Sequence, residues 1–265
     1  MVFPSRLLPA LMGWLVLCML YTNATAADSP AQVHQLWNEL LFQHVTPDGR
    51  VDYQGFLDDE DKLAEYLQVL AHTTPNEQTW SRDDIKAFWL NAYNATTVSL
   101  VLEYYPINSL NTIRLKSGSG FSPWEALTVA AAGHEYSLNQ VERTLLRDQF
   151  HDPRIHFALV CAAVSSPVLR NEAYEGHRLN AQLDDQTQRF LADPLLNTIT
   201  AERLQLSSLF DWYSAEFGSG ENALVAFLNR YLHTPVPATA KIEFLSFDWR
   251  LNDRQALSGT QALTR

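Results

Sequence analysis

The sequence predicts an α+β domain that is rich in helix, with a buried central helix and a small, mainly antiparallel sheet. A long apolar segment with helix-capping signals spans residues 81–104, and several short extended segments are bounded by turn signals. No linker, internal repeat or low-complexity tract divides the chain. We therefore expect a single folded domain.

The first part of the chain is predicted to be helical. The pair Ser29-Pro30 begins an amphipathic helix, and a second helix is expected over about residues 59–71. Ser81 and Asp84 form a capping box for a third helix, which must end before Pro106. Because apolar residues cover every side of this third helix, we expect it to be central and buried.

Short strands and helices are predicted to alternate in the rest of the chain. Residues 127–131 and 134–136 flank Ala132-Gly133 as a hairpin, and Ser137 with Gln140 forms another capping box. The apolar run that follows is predicted to be a strand over residues 155–160. The remaining predictions are helices at about 180–193, 208–217 and 221–233, and a final strand over 242–247.

The first 26 residues have the pattern of a secretory signal peptide. Arg6 precedes an apolar run, and small residues at Ala24-Thr25-Ala26 provide a cleavage site before Ala27. The apolar run is short for a membrane span and contains a proline, so a retained anchor is the weaker alternative. We expect a periplasmic or secreted protein whose single domain covers residues 27–265.

The charge and motif content exclude several classes of function. Removal of residues 1–26 takes away Arg6 and no acidic residue, so the net charge changes from −11 to −12. Such a surface disfavours nucleic-acid backbones and anionic membranes. The eight histidines are scattered, and glycine-rich phosphate loops and serine-hydrolase elbows are missing from the sequence. We expect no metal, no cofactor and no stable membrane span, and a small-molecule or peptide substrate.

Cys161 is the one cysteine that the processed chain would keep, because Cys18 lies in the signal peptide. A lone thiol is either a small buried apolar group or a reactive group. In a strand over residues 155–160, His156 would point to the opposite face and lie about 16 Å from Cys161. A thiol–imidazole pair therefore requires a sharp bend after Val160.

Three further residues are candidates for a role beside the thiol. His156 is either a satisfied hydrogen-bonding residue or a catalytic base, and His177 is the reserve base. Glu142 is predicted in the first turn of the helix that precedes the strand. It either complements the positive end of that helix or orients His156 as the third member of a Cys-His-Glu set.

Polar residues elsewhere are candidates for binding or for structural roles. Asn91 and Asn94 lie three residues apart on an otherwise apolar helix, so their carboxamides need partners. Holding a loop by backbone hydrogen bonds is the preferred role, and lining a polar pocket, with Asn91 as oxyanion donor, is the alternative. Asp248 is expected to be a buried carboxylate that ties down the C-terminal strand, and an active-site acid is the alternative.

Five ordered motifs resemble the family called domain of unknown function 547. The resemblance covers the chain from Trp37 to Asn252 and implies a protein without a settled substrate, of a kind that bacteria often export, with a cysteine-protease-like arrangement. Many bacterial relatives have a second cysteine where this chain has Ser166, so Cys161 is here the only thiol nucleophile available. The motifs are residues 88–95, Val141-Glu142, His156–Cys161 with Ser166-Pro167, Ala173-Tyr174, and Phe247–Trp249 with Leu251-Asn252.

Two functions from different classes fit the sequence. The first is an exported thiol-dependent hydrolase or acyltransferase with Cys161 as nucleophile, His156 as base and Glu142 as orienting acid. In that hypothesis the candidate binding residues are Asn91, Asn94 and Ser166. The second is a non-catalytic periplasmic binding or interaction module. Accessibility of the Cys161 thiol in the folded protein separates the two.

Overall fold

The computed structural model describes residues 29–113, 122–126 and 128–255. The predicted signal peptide lies outside these residues. Helices packed around one central helix, together with two small sheets, confirm the predicted α+β class. Within the described ranges, none of the helices has the length and apolar character needed to cross a bilayer.

The N-terminal helices pack around a central helix, α5 (Arg82–Tyr104). The capping box of α5 forms as predicted: Ser81 Oγ accepts the Asp84 N–H at 3.1 Å, and the Asp84 carboxylate accepts the Ser81 N–H at 3.0 Å. Most residues from Lys86 to Val101 are buried, so this helix is the centre of the core. The helices are α1 (Pro30–Val33), α2 (Gln35–His44), α3 (Tyr53–Asp58), α4 (Glu60–His72) and α5 (Arg82–Tyr104).

The predicted hairpin is present. After the short helix α6 (Pro123–Ala126), strands β1 (Thr128–Ala131) and β2 (His134–Ser137) pair in antiparallel fashion. Ala132 and Gly133 have φ values of 54° and 73°. Positive φ at both central residues is the signature of the type I′ turn, whose twist matches that of the two strands.

A π-helical segment lies between the hairpin and the predicted strand. Ser137 and Gln140 form the expected capping box, and the chain runs through α7 (Leu138–Gln140) into a π-helix over Val141–Arg147 and then α8 (Asp148–Phe150). Extended π-helix is rare and occurs frequently at functional sites. This segment carries Glu142.

The predicted strand over residues 155–160 is wrong. Ile155–Ala158 forms a short helix, α9, and Leu159 is extended with φ −87° and ψ 129°. Every residue from Ile155 to Val160 is buried. An apolar run that is buried on all sides has no alternating pattern, so periodicity cannot distinguish strand from helix there. The helix shortens the path from His156 to Cys161 and removes the opposite-face geometry of a strand.

The C-terminal part contains a mixed three-stranded sheet. Strands β3 (Thr198–Ile199) and β4 (Arg203–Ser207) are antiparallel, whereas β4 and β5 (Lys241–Leu245) are parallel, with two helices in the crossover between them. The predicted final strand is thus present, but it pairs in parallel. The elements are α10 (Leu179–Ala192), β3 (Thr198–Ile199), β4 (Arg203–Ser207), α11 (Leu209–Trp212), α12 (Glu221–Leu228) and β5 (Lys241–Leu245).

Helix α9 contributes to both of the hydrophobic clusters that form the core. Ile155 and Ala158 belong to the cluster around α5, and Phe157 belongs to the cluster around Phe210 and β4. His156 is therefore fixed in a segment that packs on both sides. A buried residue between two packed clusters has little freedom to move.

Candidate functional site

A pocket of about 220 Å³ opens beside Cys161. It brings together three residues selected from the sequence, namely Glu142, His156 and Cys161. Pockets that enclose a whole drug-sized ligand usually measure about 300–1,000 Å³, so this one accommodates a single side chain or acyl group. The remaining lining residues are Tyr93, Trp124, Asn139, Leu159, Val160, Pro167, Leu209, Trp212, Tyr213 and Trp249.

Asn94 of α5 holds the bend between His156 and Cys161. Its Nδ2 donates to the Ala158 carbonyl at 2.9 Å, and its Oδ1 accepts the Val160 N–H at 3.1 Å. These two bonds bracket the extended residue Leu159. The bend that a thiol–imidazole pair requires is thus fixed by a buried side chain from the central helix.

Asn91 makes the same kind of contact to a different loop. Its Nδ2 donates to the Tyr174 carbonyl at 2.8 Å, and its Oδ1 accepts the Tyr174 N–H at 3.0 Å. Asn91 is 1% exposed and is not among the residues that line the pocket. The geometry supports the loop-holding role rather than the oxyanion role that the sequence left as an alternative.

The loop after Cys161 is strained and hydrogen-bonded. The Cys161 N–H donates to Ser166 Oγ at 2.9 Å. The Ser166 hydroxyl therefore lies beside the cysteine. Ser166 is buried and does not line the pocket. Ala162 is buried and has φ 56°, in the left-handed region. This conformation costs about 1–2 kcal/mol for a residue other than glycine. Such strain is concentrated at functional sites.

The Phe247–Trp249 motif anchors the same loop. The Ser165 N–H donates to the Asp248 carbonyl at 3.2 Å, and the Asp248 N–H donates to Ser165 Oγ at 2.9 Å. The Asp248 carboxylate is paired with Arg250 and is partly exposed, rather than buried as the sequence suggested. It is the backbone of Asp248 that ties the C-terminal segment to the Cys161 loop.

His156 is fixed by a carboxylate that the sequence did not indicate. Its Nε2 lies 2.8 Å from Glu216 Oε2, whereas its Nδ1 lies 4.0 Å from Glu142 Oε1. Because a carboxylate accepts hydrogen bonds, Nε2 carries the ring proton and donates a hydrogen bond to Glu216. The ring also stacks on Tyr213, with centroids 3.7 Å apart and planes inclined by 17°. Nδ1 has no equally close partner in the described chain and is the nitrogen available as a base.

Glu142 lies beside the thiol and the Tyr213 hydroxyl instead of being hydrogen-bonded to His156. Burial raises the pKa of Tyr213 well above its usual range, and the charge of Glu142 adds to this effect. The Glu142 side chain is mostly buried on the pocket wall. A negative charge here opposes formation of any further anion in the pocket.

The Cys161 thiol is protonated at neutral pH. Burial raises the pKa of Cys161 to about 11, and the nearby charge of Glu142 contributes to the increase. The Ser166 hydroxyl and the Ala163 backbone N–H act in the opposite direction by hydrogen bonding to the sulfur. Cys161 is nevertheless partly exposed to the pocket, so the thiol faces a space that a substrate can enter.

Aromatic side chains form much of the remaining wall. Trp212 stacks on Trp249 with ring centroids 5.9 Å apart and an angle of 18°, and Phe247 packs against Trp249 at 4.4 Å. Trp124 adds a third indole to the lining. These flat apolar surfaces favour an apolar or aromatic substrate group.

Glu216, Tyr213 and Asn139 are the site residues that the sequence analysis missed. Asn139 and Glu142 lie three residues apart on consecutive helical turns, and this spacing is a signal that could have identified Asn139. No described residue hydrogen-bonds to the Asn139 carboxamide, which faces the pocket. The reserve base His177 is exposed, 3.6 Å from Glu175, and is not part of the pocket lining.

One of the comparisons with known proteins gave a match, and the matched stretch contains Glu142, His156 and Cys161. In the described ranges, no three His, Cys, Asp or Glu side chains are grouped to hold a metal ion. Searches of curated proteins and of solved structures gave no match to the chain. Residues 77–191 match the family described as "Protein of unknown function, DUF547", a stretch that ends before Tyr213 and Glu216. This match supports membership of the DUF547 family for the stretch over residues 77–191.

Proposed function

We propose that this protein is a thiol-dependent hydrolase or acyltransferase in which Cys161 is the nucleophile and His156 is the base. The observation that carries the proposal is that both residues line one pocket, while His156 Nε2 lies 2.8 Å from Glu216 Oε2. A nucleophile, a base and a group that orients the base are the parts that covalent acyl transfer requires.

The chemical step follows the Cys-His scheme. His156 Nδ1 takes the thiol proton while Cys161 Sγ attacks the carbonyl carbon, and the protonated imidazole then gives that proton to the leaving group. The product is a thioester on Cys161. Water or an acceptor nucleophile attacks the thioester carbonyl, and the thiol recovers its proton through the same imidazole.

Two further residues, Asn139 and Glu216, have roles in this scheme. The carboxamide of Asn139, which has no hydrogen-bond partner among the described residues, is the side-chain donor available to the carbonyl oxygen as negative charge develops there. Glu216 orients His156 and stabilises the imidazolium that forms after proton transfer. Because the thiol pKa is about 11, proton transfer accompanies the attack, and a standing thiolate–imidazolium pair is not the resting form.

A non-catalytic binding module is the second candidate function, and the raised thiol pKa favours it. A protonated, partly buried cysteine behaves as a small apolar group. In this case the aromatic pocket would hold a ligand without forming a covalent bond to it. The two candidates predict opposite results for turnover.

Turnover of simple esters and amides distinguishes these candidates. The thiol-dependent enzyme is supported if the protein hydrolyses members of a panel of aryl esters, thioesters and anilides, and if Cys161→Ser abolishes that turnover without changing the melting temperature. The binding module is supported if the panel gives no turnover above buffer, or if Cys161→Ser retains the activity. Ser165→Ala is the control, because Ser165 also lies in the loop but faces Asp248.

We also propose that the protein is exported to the periplasm or the medium. It is supported by Arg6, the apolar run and the small-residue site at Ala24-Thr25-Ala26. Mass spectrometry of the protein recovered from an expressing bacterium tests it. We expect an N-terminus at Ala27 or within a residue or two of it, and material that retains Met1 would contradict export through a cleaved signal.

A further inference from the structure

A second cavity continues the pocket beside Cys161. It has a volume of about 460 Å³ and shares Asn139, Glu142, Trp212 and Tyr213 with that pocket. The shared residues make the two cavities neighbouring compartments of one groove. Arg143, Arg147 and Glu216 give the second compartment a polar character that contrasts with the tryptophan-rich first one.

The two arginines of the second compartment differ in their partners. Arg147 lies 3.5 Å from Glu216 and 3.6 Å from Asp148, so its charge is compensated. Arg143 is exposed, and its side chain forms no ion pair, hydrogen bond or aromatic contact with any described residue. The Arg143 guanidinium therefore lies on the wall of the second compartment without an ion-pair partner among the described residues.

The acidic residues that line the groove form no ion pair with Arg143. Glu216 is bonded to His156 and lies near Arg147, and Glu142 lies beside the thiol and Tyr213. The Arg143 guanidinium is therefore the positive charge that is available to bind an anionic group of a substrate. A guanidinium presents donors in a planar fork that matches a carboxylate.

We infer that the groove binds a substrate with an apolar or aromatic acyl group and a carboxylate, as in an N-acyl amino acid or the C-terminal residue of a peptide. The acyl group lies against the tryptophans of the first compartment. The carboxylate binds Arg143 in the second. This inference rests on the proposed function, because it takes the reacting carbonyl to lie beside Cys161.

Hippurate and its primary amide are a matched pair of probes for this inference. Each has a benzoyl group and the same amide bond, and they differ in whether the glycine end is charged. Binding to Cys161→Ser, which removes the nucleophile, is measured by quenching of tryptophan fluorescence or by calorimetry. We expect hippurate to bind about tenfold more tightly than the amide, as one charge-assisted pair would provide.

Substitution of the arginine gives the decisive comparison. Arg143→Ala should remove the preference for hippurate, and Arg143→Glu should reverse it. Arg230→Ala is the control, because Arg230 is an exposed arginine without an ion pair to a described residue and lies outside both cavities. Its substitution should leave the preference unchanged.

Three results would overturn the inference. They are an equal affinity for the two probes, a preference that survives in Arg143→Ala, and no measurable binding of either probe. Since binding is measured without the nucleophile, the proposed chemistry can fail while the preference for the carboxylate holds. Conversely, Cys161 can prove to be a nucleophile while the two probes bind equally, which rejects only the carboxylate site.

Discussion

His156 Nε2 and Glu216 Oε2 lie 2.8 Å apart, although 60 residues separate them in the chain. The contact links α9 to the 3₁₀ turn over Ser214–Glu216, beside the pocket that contains Cys161. Together with the stacked Tyr213 ring, it determines which imidazole nitrogen can accept a proton. The orientation of His156 is therefore set by a part of the chain outside the matched family region.

Glu216→Gln should slow acylation of Cys161. The amide oxygen can still accept a hydrogen bond from Nε2, but it no longer stabilises the imidazolium, so we expect the acylation rate to fall by about tenfold or more. The rate is measured with an activated ester under single-turnover conditions. Glu175→Gln is the control, because Glu175 lies near the exposed His177 in a comparable pair. Equal losses in the two variants would contradict the role assigned to Glu216.

Asn94→Ala and Asn91→Ala should differ in their effect on the thiol. Each removes a carboxamide that makes two backbone hydrogen bonds, so each should lower the free energy of unfolding by about 1–3 kcal/mol per unsatisfied group. Only Asn94 holds the bend before Cys161. Urea unfolding measures the first effect, and the rate of iodoacetamide reaction measures the second. A change in thiol reactivity in Asn91→Ala alone would show that the bend does not depend on Asn94.

The raised pKa of Cys161 predicts a loss of stability at alkaline pH. Burial raises this pKa from 9.0 to about 11, so the folded protein retains the thiol proton after the unfolded chain has lost it. Ionisation then favours the unfolded state, and stability decreases as pH rises from about 9 through about 11. We expect Cys161→Ala to show a smaller loss of unfolding free energy between pH 8 and pH 10 than the wild type. Identical losses would place the thiol pKa near its ordinary value.

Ser166→Cys should create a reversible disulfide with Cys161. Ser166 Oγ accepts the Cys161 N–H at 2.9 Å and also bonds to the thiol, so a sulfur at this position lies beside the Cys161 sulfur. Mild oxidation should protect both thiols from alkylation, and dithiothreitol should restore them. Ser165→Cys is the matched control, because Ser165 Oγ faces the Asp248 backbone. A disulfide in the control but not in Ser166→Cys would contradict the described loop.

The local signals in the sequence predicted much of this fold. The capping boxes at Ser81 and Ser137 and the Ala132-Gly133 turn are short-range features whose chemistry depends on residues three or four positions apart. The buried central helix followed from apolar residues on every side. These features do not depend on the rest of the chain, which is why they could be identified.

The features that the sequence did not predict depend on contacts between distant parts of the chain. Residues 155–160 are buried between two clusters, and nothing in their composition distinguishes a strand from a short helix. The parallel pairing of β4 and β5 and the contact of Glu216 with His156 are long-range. Cys161, His156 and Glu142 line one pocket, but sequence spacing could not identify the partners of their side chains.

The rate at which an activated ester acylates Cys161 at neutral pH tests the central claim most directly. Intact and peptide-level mass spectrometry identify the modified residue and its rate in wild type, Cys161→Ser and His156→Gln, each checked for folding by its melting curve. We predict a thioester on Cys161 in wild type, none in Cys161→Ser, and a rate at least about 100-fold lower in folded His156→Gln, because a general base contributes about that much. Acylation of Cys161 at an equal rate in folded His156→Gln, or acylation of another residue instead, would contradict the account.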